Sequence, residues 1–337
     1  MLVCFANLAN LACLARHRRA EVLTFALVAF ALAALAPGGS VCAQPAPGAT
    51  PADSAAAAPE TTSVILLGTG MPVPDHLAQG PATAVVVGER IFLFDAGAGV
   101  MRQVEAAGLP YRRGPIAGVF LTHLHTDHTL GYPDVIFTSW VMGRRAPLRV
   151  VGPAGTQRLT DHIIAGWRED IDVRTNGLER GIPNGWKVAV LETFGGVVYD
   201  SLGVRVRAFA VRHGGWKWAF GYRIDTPDKS VVISGDTAPA EAVERAARGV
   251  DVLVHEVYPE VRLVAEDRPG GQDWPKYMRS FHTSDRELGA LASRANPKLL
   301  VLHHIVRMKG TDAELVEGVR AGGYGGDVVI GRDLDRY

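Results

Sequence analysis

The stretch Gly118-Val119-Phe120-Leu121-Thr122-His123-Leu124-His125-Thr126-Asp127-His128 decides how this chain is read. Gly118 to Leu121 have the apolar character of a buried strand, and a polar loop follows at once. His123, His125, Asp127 and His128 then crowd three imidazoles and one carboxylate into six residues. Side chains two apart on an extended chain point to the same side, so His123 and His125 share an aim. A turn at Thr126-Asp127 brings Asp127 and His128 round towards a second point. Imidazole and carboxylate together suit zinc and similar divalent cations. A loop that is merely solvated has no use for three histidines at this spacing.

Four ligands cannot complete two metal sites, so the rest must come from elsewhere in the chain. His213 follows the apolar run Val204–Val211, Asp236 follows Val231-Val232-Ile233-Ser234, and His304 follows Leu299–Leu302, with His303 competing for its role. Each sits where an apolar strand gives way to a polar loop, the edge at which active sites of sheet proteins gather.

The rest of the chain supplies alternating strand and helix signals. Strands are expected at Ser63–Leu67, Ala84–Val87, Ile91–Phe94, Gly118–Leu121, Leu148–Val151, Val204–Val211, Phe220–Ile224, Ser230–Ser234, Val252–His255 and Leu299–Leu302. Helices are expected at Gly99–Ala107, Gly155–Trp167, Pro239–Ala247, Ser284–Ala295 and Asp312–Ala321. Two halves of interleaved strands and helices, each with a sheet facing the other, make an α/β fold of the αβ/βα four-layer sandwich type. Ala265–Tyr277, rich in Asp, Pro and Gly, reads as a loop over the site.

Upstream, Arg16, His17, Arg18 and Arg19 precede an apolar run from Val22 to Ala36, and Val41-Cys42-Ala43 resembles a cleavage site. This order describes a secretory signal over residues 1–43, cut after Ala43. A retained membrane anchor is the alternative, but the run is short beside the roughly 20 apolar residues of a full span. Residues 44–60, with Pro45, Pro47, Pro51 and Pro59, read as a disordered Ala/Pro tether, leaving 61–337 as the folded domain. Cys4, Cys13 and Cys42 all fall in the leader, so a metal site in the exported chain must use nitrogen and oxygen ligands. The 337 residues are 47% hydrophobic, enough for a sizeable core. With 35 basic and 35 acidic residues the formal charge is zero, which gives no support to nucleic-acid binding.

Gly68-Thr69-Gly70, Phe94-Asp95-Ala96-Gly97, His123-x-His125-x-Asp127-His128, His213, Phe220-Gly221-Tyr222, Ser234-Gly235-Asp236-Thr237, His255-Glu256, His282 and His304 occur in this order. Over about residues 63–335 the chain thereby resembles the metallo-β-lactamase superfamily, nearest to its ribonuclease Z and arylsulfatase-like branch. The resemblance implies the metallo-β-lactamase fold and two divalent metal ions, zinc first, with manganese or iron as alternatives. It implies that His123, His125 and His213 hold one ion, that Asp127, His128 and His304 hold the other, and that Asp236 bridges them. His304 is preferred to His303 because the family's ligand precedes an apolar residue, here Ile305. Asp95 resembles a carboxylate that orients ligands without binding metal.

His282 resembles a catalytic histidine that donates a proton to the leaving group, and Glu256 resembles the carboxylate that orients it. Asp127 belongs to both sets, as ligand and as part of the catalytic constellation. His255 reads as structural, His76 and His162 as surface residues, and Trp140, Trp167, Trp216 and Trp218 as candidates for an aromatic pocket. The expected activity is hydrolysis of a small phosphodiester, sulfate ester or related ester by a metal-activated hydroxide, outside the cytoplasm or in the periplasm. A lactonase or β-lactamase is the alternative within enzymes, and a metal-binding scaffold on the same fold is the alternative outside them. The expected partner is a small-molecule ester. No membrane insertion is expected after signal cleavage, and a homodimer is left open.

Overall fold

A computed structural model describes residues 61–112 and 115–337. The expected signal, its cleavage after Ala43 and the tether over 44–60 lie outside these residues. Among the described residues no helix is long and apolar enough to cross a membrane.

Two sheets form in succession. The first contains β1 (Thr62–Gly68), β2 (Ala82–Val87), β3 (Arg90–Phe94), β4 (Ile116–Phe120), β5 (Leu148–Gly152) and β6 (Val188–Glu192), side by side in chain order. Strands β1 to β3 are antiparallel, and β3 to β6 run parallel. The second sheet contains β7 (Gly196–Ser201), β8 (Val204–Ala210), β9 (Phe220–Asp225), β10 (Ser230–Ile233), β11 (Val252–Val257), β12 (Leu299–Ile305) and β13 (Asp327–Ile330). Here β7 to β10 form an antiparallel meander and β10 to β13 are parallel.

The described helices are α1 (Val100–Ala106), α2 (Thr126–Thr129), α3 (Tyr132–Val141), α4 (Thr156–Gly166), α5 (Arg168–Asn176), α6 (Glu241–Ala246), α7 (Trp274–Phe281), α8 (Asp285–Ala295) and α9 (Asp312–Ala321). Alternation along the strands sends one set of side chains to each face. Val64, Val85, Phe92, Phe94 and Phe120 of the first sheet meet Val206, Phe220, Tyr222, Ile233 and Val254 of the second in one central core. Their outward neighbours pack on helices: Leu93 and Val119 face residues of α1 and α3, while Leu253 and Leu300 face residues of α6, α8 and α9. The result is the four-layer αβ/βα sandwich expected from the sequence.

Tyr222 shows how the two halves are pinned near the future site. Its ring lies against Phe94 and Phe120, at centroid distances of 5.5 and 5.8 Å. Its hydroxyl donates to the Leu121 carbonyl (2.8 Å), at the end of the strand that feeds the histidine loop. One residue on, the backbone N–H of Phe220 donates to the Thr122 carbonyl (2.9 Å). Burying such an aromatic fully is worth roughly 1.5–3 kcal/mol, and its polar tip is satisfied as well.

The structure adds elements that the sequence reading passed over. Helices α3 and α5 and strands β6, β7 and β13 were not anticipated, whereas β9 and β10, between His213 and Asp236, match the expected strands Phe220–Ile224 and Ser230–Ser234. Ala265–Tyr277 is not simply a loop, because a short 3-10 turn at Gly271–Asp273 leads into α7. Pro275 obscured this helix in the sequence, yet it sits in the first turn, where its missing N–H costs nothing.

Candidate metal centre

Every expected ligand emerges from the end of a strand on one rim of the sandwich. The loop after β4 carries His123 and His125 and leads into α2, whose first turn holds Asp127 and His128. His213 follows β8, Asp236 follows β10 and His304 is the penultimate residue of β12. These side chains gather into two groups: His123, His125, His213 and Asp236, and beside them Asp127, His128 and His304. Within each group the candidate donor atoms lie within 4.8 Å of one another. Asp236 reaches both, with its oxygens 3.4 Å from His128 Nε2, 3.2 Å from His304 Nε2, and 4.0 and 3.9 Å from the Nε2 atoms of His123 and His213.

Backbone features place these groups. Gly235 sits at φ +59°, and a side chain there would meet the Phe220 carbonyl and Thr122, so only glycine lets the Asp236 loop approach the first half this closely. On β12, His303 pairs with Glu256 and Ile305 with Val257, which leaves His304 as an extra residue in a bulge. Its φ is +42°, a conformation β-strand residues rarely adopt. The bulge re-aims its ring towards Asp127 and Asp236. His303 instead places Nε2 2.8 Å from the Gly68 carbonyl, tying β12 to β1. The two neighbouring histidines thus take different jobs.

Outer partners decide which nitrogen each ring turns inward. His213 Nδ1 faces the Phe281 carbonyl (2.8 Å), and His128 Nδ1 faces Asp95 Oδ2 (2.8 Å). His123 Nδ1 lies 2.9 Å from Thr122 Oγ1, whose hydroxyl donates to Asp95 Oδ2 (2.8 Å). Asp95 Oδ1 also accepts from the Thr122 backbone N–H (2.8 Å). One carboxylate therefore orients a histidine in each group, directly or through a hydroxyl. His125 is turned the other way: the Trp216 indole N–H donates to its Nε2 (2.8 Å), and its Nδ1 lies 2.9 and 3.0 Å from the Nε2 atoms of His123 and His213.

The electrostatics describe a site built for cations. Burial opposes charge on His304, but Asp236 and Asp127 lift it to about 9. Burial likewise opposes protonation of His128, and Asp236 and Asp95 raise it well above the usual imidazole range. Burial would keep Asp236 neutral, yet His304 and His128 hold it well below the ordinary carboxylate range. In contrast, burial pushes His213 down to about 4 and His123 well down, leaving both neutral. His128 Nε2 and both ring nitrogens of His304 are buried without a hydrogen-bond partner. Such orphaned atoms are costly, and a pair of divalent cations fits these nitrogen and oxygen donors.

Next to the second group, His282 Nδ1 lies 3.3 Å from Glu256 Oε2 and 3.9 Å from Asp236. Glu256 is itself held by the backbone N–H groups of Thr283 (2.9 Å) and Thr237 (3.2 Å), two partners the sequence reading did not single out. Burial would lower His282, but Glu256 and Asp236 raise it above its ordinary value. His282 caps the C-terminal end of α7, and α8 begins separately at Ser284 with a capping box to Glu287. A cavity of about 300 Å³ opens over His125, Asp127, Asp236, His282 and His304.

Other residues fall elsewhere. His255 is fully buried on β11 with Nδ1 2.6 Å from the Glu256 carbonyl, and His76 and His162 are exposed. Of the four tryptophans considered, only Trp216 touches the centre. Trp140 is buried and its indole N–H donates to the Ile182 carbonyl, Trp167 lies tilted against Phe137, and Trp218 packs at the edge of the central core. The aromatic residues of the cavity are Trp274 and Tyr277.

Comparison with known proteins agrees with this geometry. The Beta-lactamase superfamily domain matches residues 90–305. Ribonuclease Z of Mycobacterium bovis (strain BCG / Pasteur 1173P2) is 33% identical over 279 residues, covering 81% of this chain and 96% of its own. Among solved structures, the metallo-beta-lactamase fold protein YhfI from Bacillus subtilis superposes with a TM-score of 0.62 at 16% identity, covering 82% of this chain and 99% of its own. Human tRNase Z, short form, gives a TM-score of 0.59 at 20% identity, covering 82% and 98%. The chain belongs to the metallo-β-lactamase superfamily and is a ribonuclease Z-like, metal-dependent hydrolase.

Proposed function

We propose that this chain is an exported phosphodiesterase-like hydrolase that cleaves a small ester, with His123, His125, His213 and Asp236 holding one divalent cation and Asp127, His128 and His304 sharing Asp236 to hold the other. The observation that carries this reading is His282 on the wall of the cavity above both groups, backed by the buried Glu256 at 3.3 Å. When bound, two such cations activate water as a nucleophile and offset charge growing on the ester oxygens.

The chain's own residues supply the rest. Glu256, fixed by Thr237 and Thr283, accepts from His282 Nδ1 and keeps the imidazolium available. With Nδ1 so engaged, Nε2 is the atom from which His282 gives a proton to the departing oxygen. Asp95 and Thr122 hold the ligand rings in the tautomers that present Nε2. A phosphodiester is favoured as the bond because the relatives are named ribonuclease Z. A small substrate is favoured because the cavity is only about 300 Å³ and no lysine or arginine lines it among the described residues. The exported location rests on the leader-like residues 16–43.

The test is turnover of bis-p-nitrophenyl phosphate, p-nitrophenyl sulfate and a simple lactone by zinc-loaded protein, with metal content measured in parallel. Phosphodiester or sulfate turnover that fails in His282→Ala supports the reading. Preference for the lactone favours a lactonase. Stoichiometric zinc without turnover of any ester favours the scaffold.

A further inference from the structure

Strand β2 carries a hydroxyl on a face that is otherwise apolar. Its residues alternate: Val85 and Val87 turn inward to the central core, while Ala82, Ala84 and Val86 pack outward. Thr83 falls in the inward set, paired between Leu66 of β1 and Phe94 of β3, which both belong to that core. A valine of the same shape would fill this place. Thr83 is 1% exposed, and its Oγ1 has no hydrogen-bond partner in the protein. A buried hydroxyl without a partner is costly.

A matching gap exists at one ligand. The rings of His123, His128 and His213 each have a protein partner for Nδ1, the nitrogen turned away from the centre, and His125 has the Trp216 indole at Nε2. His304 differs. Its Nε2 lies 3.4 Å from Asp127 and 3.2 Å from Asp236, which leaves Nδ1 as the outer nitrogen. That Nδ1 is buried with no partner. An imidazole that ligates through Nε2 carries its proton on Nδ1, and this N–H needs an acceptor.

Thr83 and His304 line the same small cavity, together with Asp95 and Ser234. Its volume is about 10 Å³, close to the roughly 10–15 Å³ that one water requires. Asp95 is already engaged by Thr122 and His128, and Ser234 by the Gly235 carbonyl and the Glu256 N–H. The other orphaned atoms at this cavity, the Nε2 atoms of His128 and His304, face the metal centre. Thr83 Oγ1 and His304 Nδ1 are therefore the two groups left for a water to join.

We propose that one buried water bridges Thr83 Oγ1 and His304 Nδ1, and that Thr83 is thereby a positioning residue for the ion held with His304. The water accepts from Nδ1–H and exchanges a hydrogen bond with the Thr83 hydroxyl. This fixes the tautomer that presents Nε2 and stops the ring from turning on its bulge. The bridge rests on His304 as a ligand, part of the reading above, and not on the identity of the ester.

The experiment is zinc affinity, by competition with a chromophoric chelator, in the full chain and in Thr83→Val and Thr83→Ser, with melting of the metal-free proteins alongside. Crystals grown at limiting zinc assign each affinity to its site by anomalous scattering. Thr83→Val keeps the shape and removes the hydroxyl. It should weaken the ion held with His304 by about three- to tenfold, the worth of one neutral hydrogen bond. The ion held with His123 and the metal-free melting should stay at parental values. Thr83→Ser keeps the hydroxyl and should restore the affinity. Crystals of the zinc-loaded parent should show a water between Thr83 Oγ1 and His304 Nδ1 that Thr83→Val loses. Parental affinity at both sites in Thr83→Val, an equal loss at both with lowered melting, or no water there in the parent would overturn the proposal. A parent that takes up a single ion would strike the ligand set first, and the bridge with it.

Discussion

Asp95→Asn is the most informative single change. The carboxylate accepts on every side: from the Thr122 backbone N–H and hydroxyl, and from His128 Nδ1. An asparagine has the same shape but only one accepting atom. If its oxygen serves His128, its NH2 faces the Thr122 N–H; if it serves Thr122, the NH2 faces His128 Nδ1 and disfavours the tautomer that presents Nε2. Backbone strain does not confuse the comparison, because Asp95 has φ +60° and asparagine tolerates that region. A hydrogen bond to a charged group contributes about 1.5–3 kcal/mol, which converts to roughly 10- to 100-fold in an equilibrium constant and matches the usual cost of losing such an orienting partner. The loss should fall first on the ion held with His128. The ion held with His123, which is reached only through Thr122, should weaken less. Competition with a chromophoric chelator would resolve the two affinities. Two zinc ions bound within a factor of about two of the parent, in protein with parental melting, would refute the claim that Asp95 sets the ligand tautomers.

The remaining predictions concern proton transfer and metal uptake. His282→Ala should retain its zinc stoichiometry while kcat falls by about 10²- to 10⁴-fold, the range for a lost general acid; parental kcat would retire its role. Glu256→Gln removes the group that raises His282 against burial. The protonated form is lost as pH rises through the pKa, so the alkaline limb of the rate profile should move to lower pH in this variant; an unmoved limb would mean another group is the acid. In metal-free protein His304 keeps its proton up to about 9, and His128 is raised as well. Both must release protons to ligate, so zinc affinity should climb as pH rises from about 6 towards 9, by about tenfold per unit for each proton displaced. Calorimetry in buffers of different ionisation enthalpy reads the proton count, and a count of zero would contradict these assignments.

Much of the sandwich was legible because its strands are short apolar runs that end in polar loops. The expected Asp312–Ala321 helix coincides with α9, where Thr311 and Glu314 form a capping box. What escaped notice had a weak local signal. Edge strands β6 and β7 are only partly buried. Helices α3 and α7 both have proline as their second residue, Pro133 and Pro275, which reads as a break although it fits a first turn. At the site, ligand-type residues at strand ends could be named from the sequence, but their partners could not. Thr237 and Thr283 hold Glu256 through backbone N–H groups, which carry no residue-type signature. The bulge that separates His304 from His303 exists only in the pairing of β12 with β11. Tyr277 is close to Met71 and Val306 in space while some 30 to 200 residues distant along the chain, so no window of sequence could join them.

The division of ligands between the two halves has a mechanical consequence. Both groups mix residues from the loop after β4 with residues from the second sheet: His123 and His125 with His213 and Asp236, Asp127 and His128 with His304. Each ion would therefore act as a rivet through both plates. Chelation would loosen the seam as a whole, and saturation at a thousandfold excess over the dissociation constant would add about 4 kcal/mol to unfolding. The same cations that serve chemistry would thus guard residues 61–337, which contain no cysteine and so no disulfide, against coming apart.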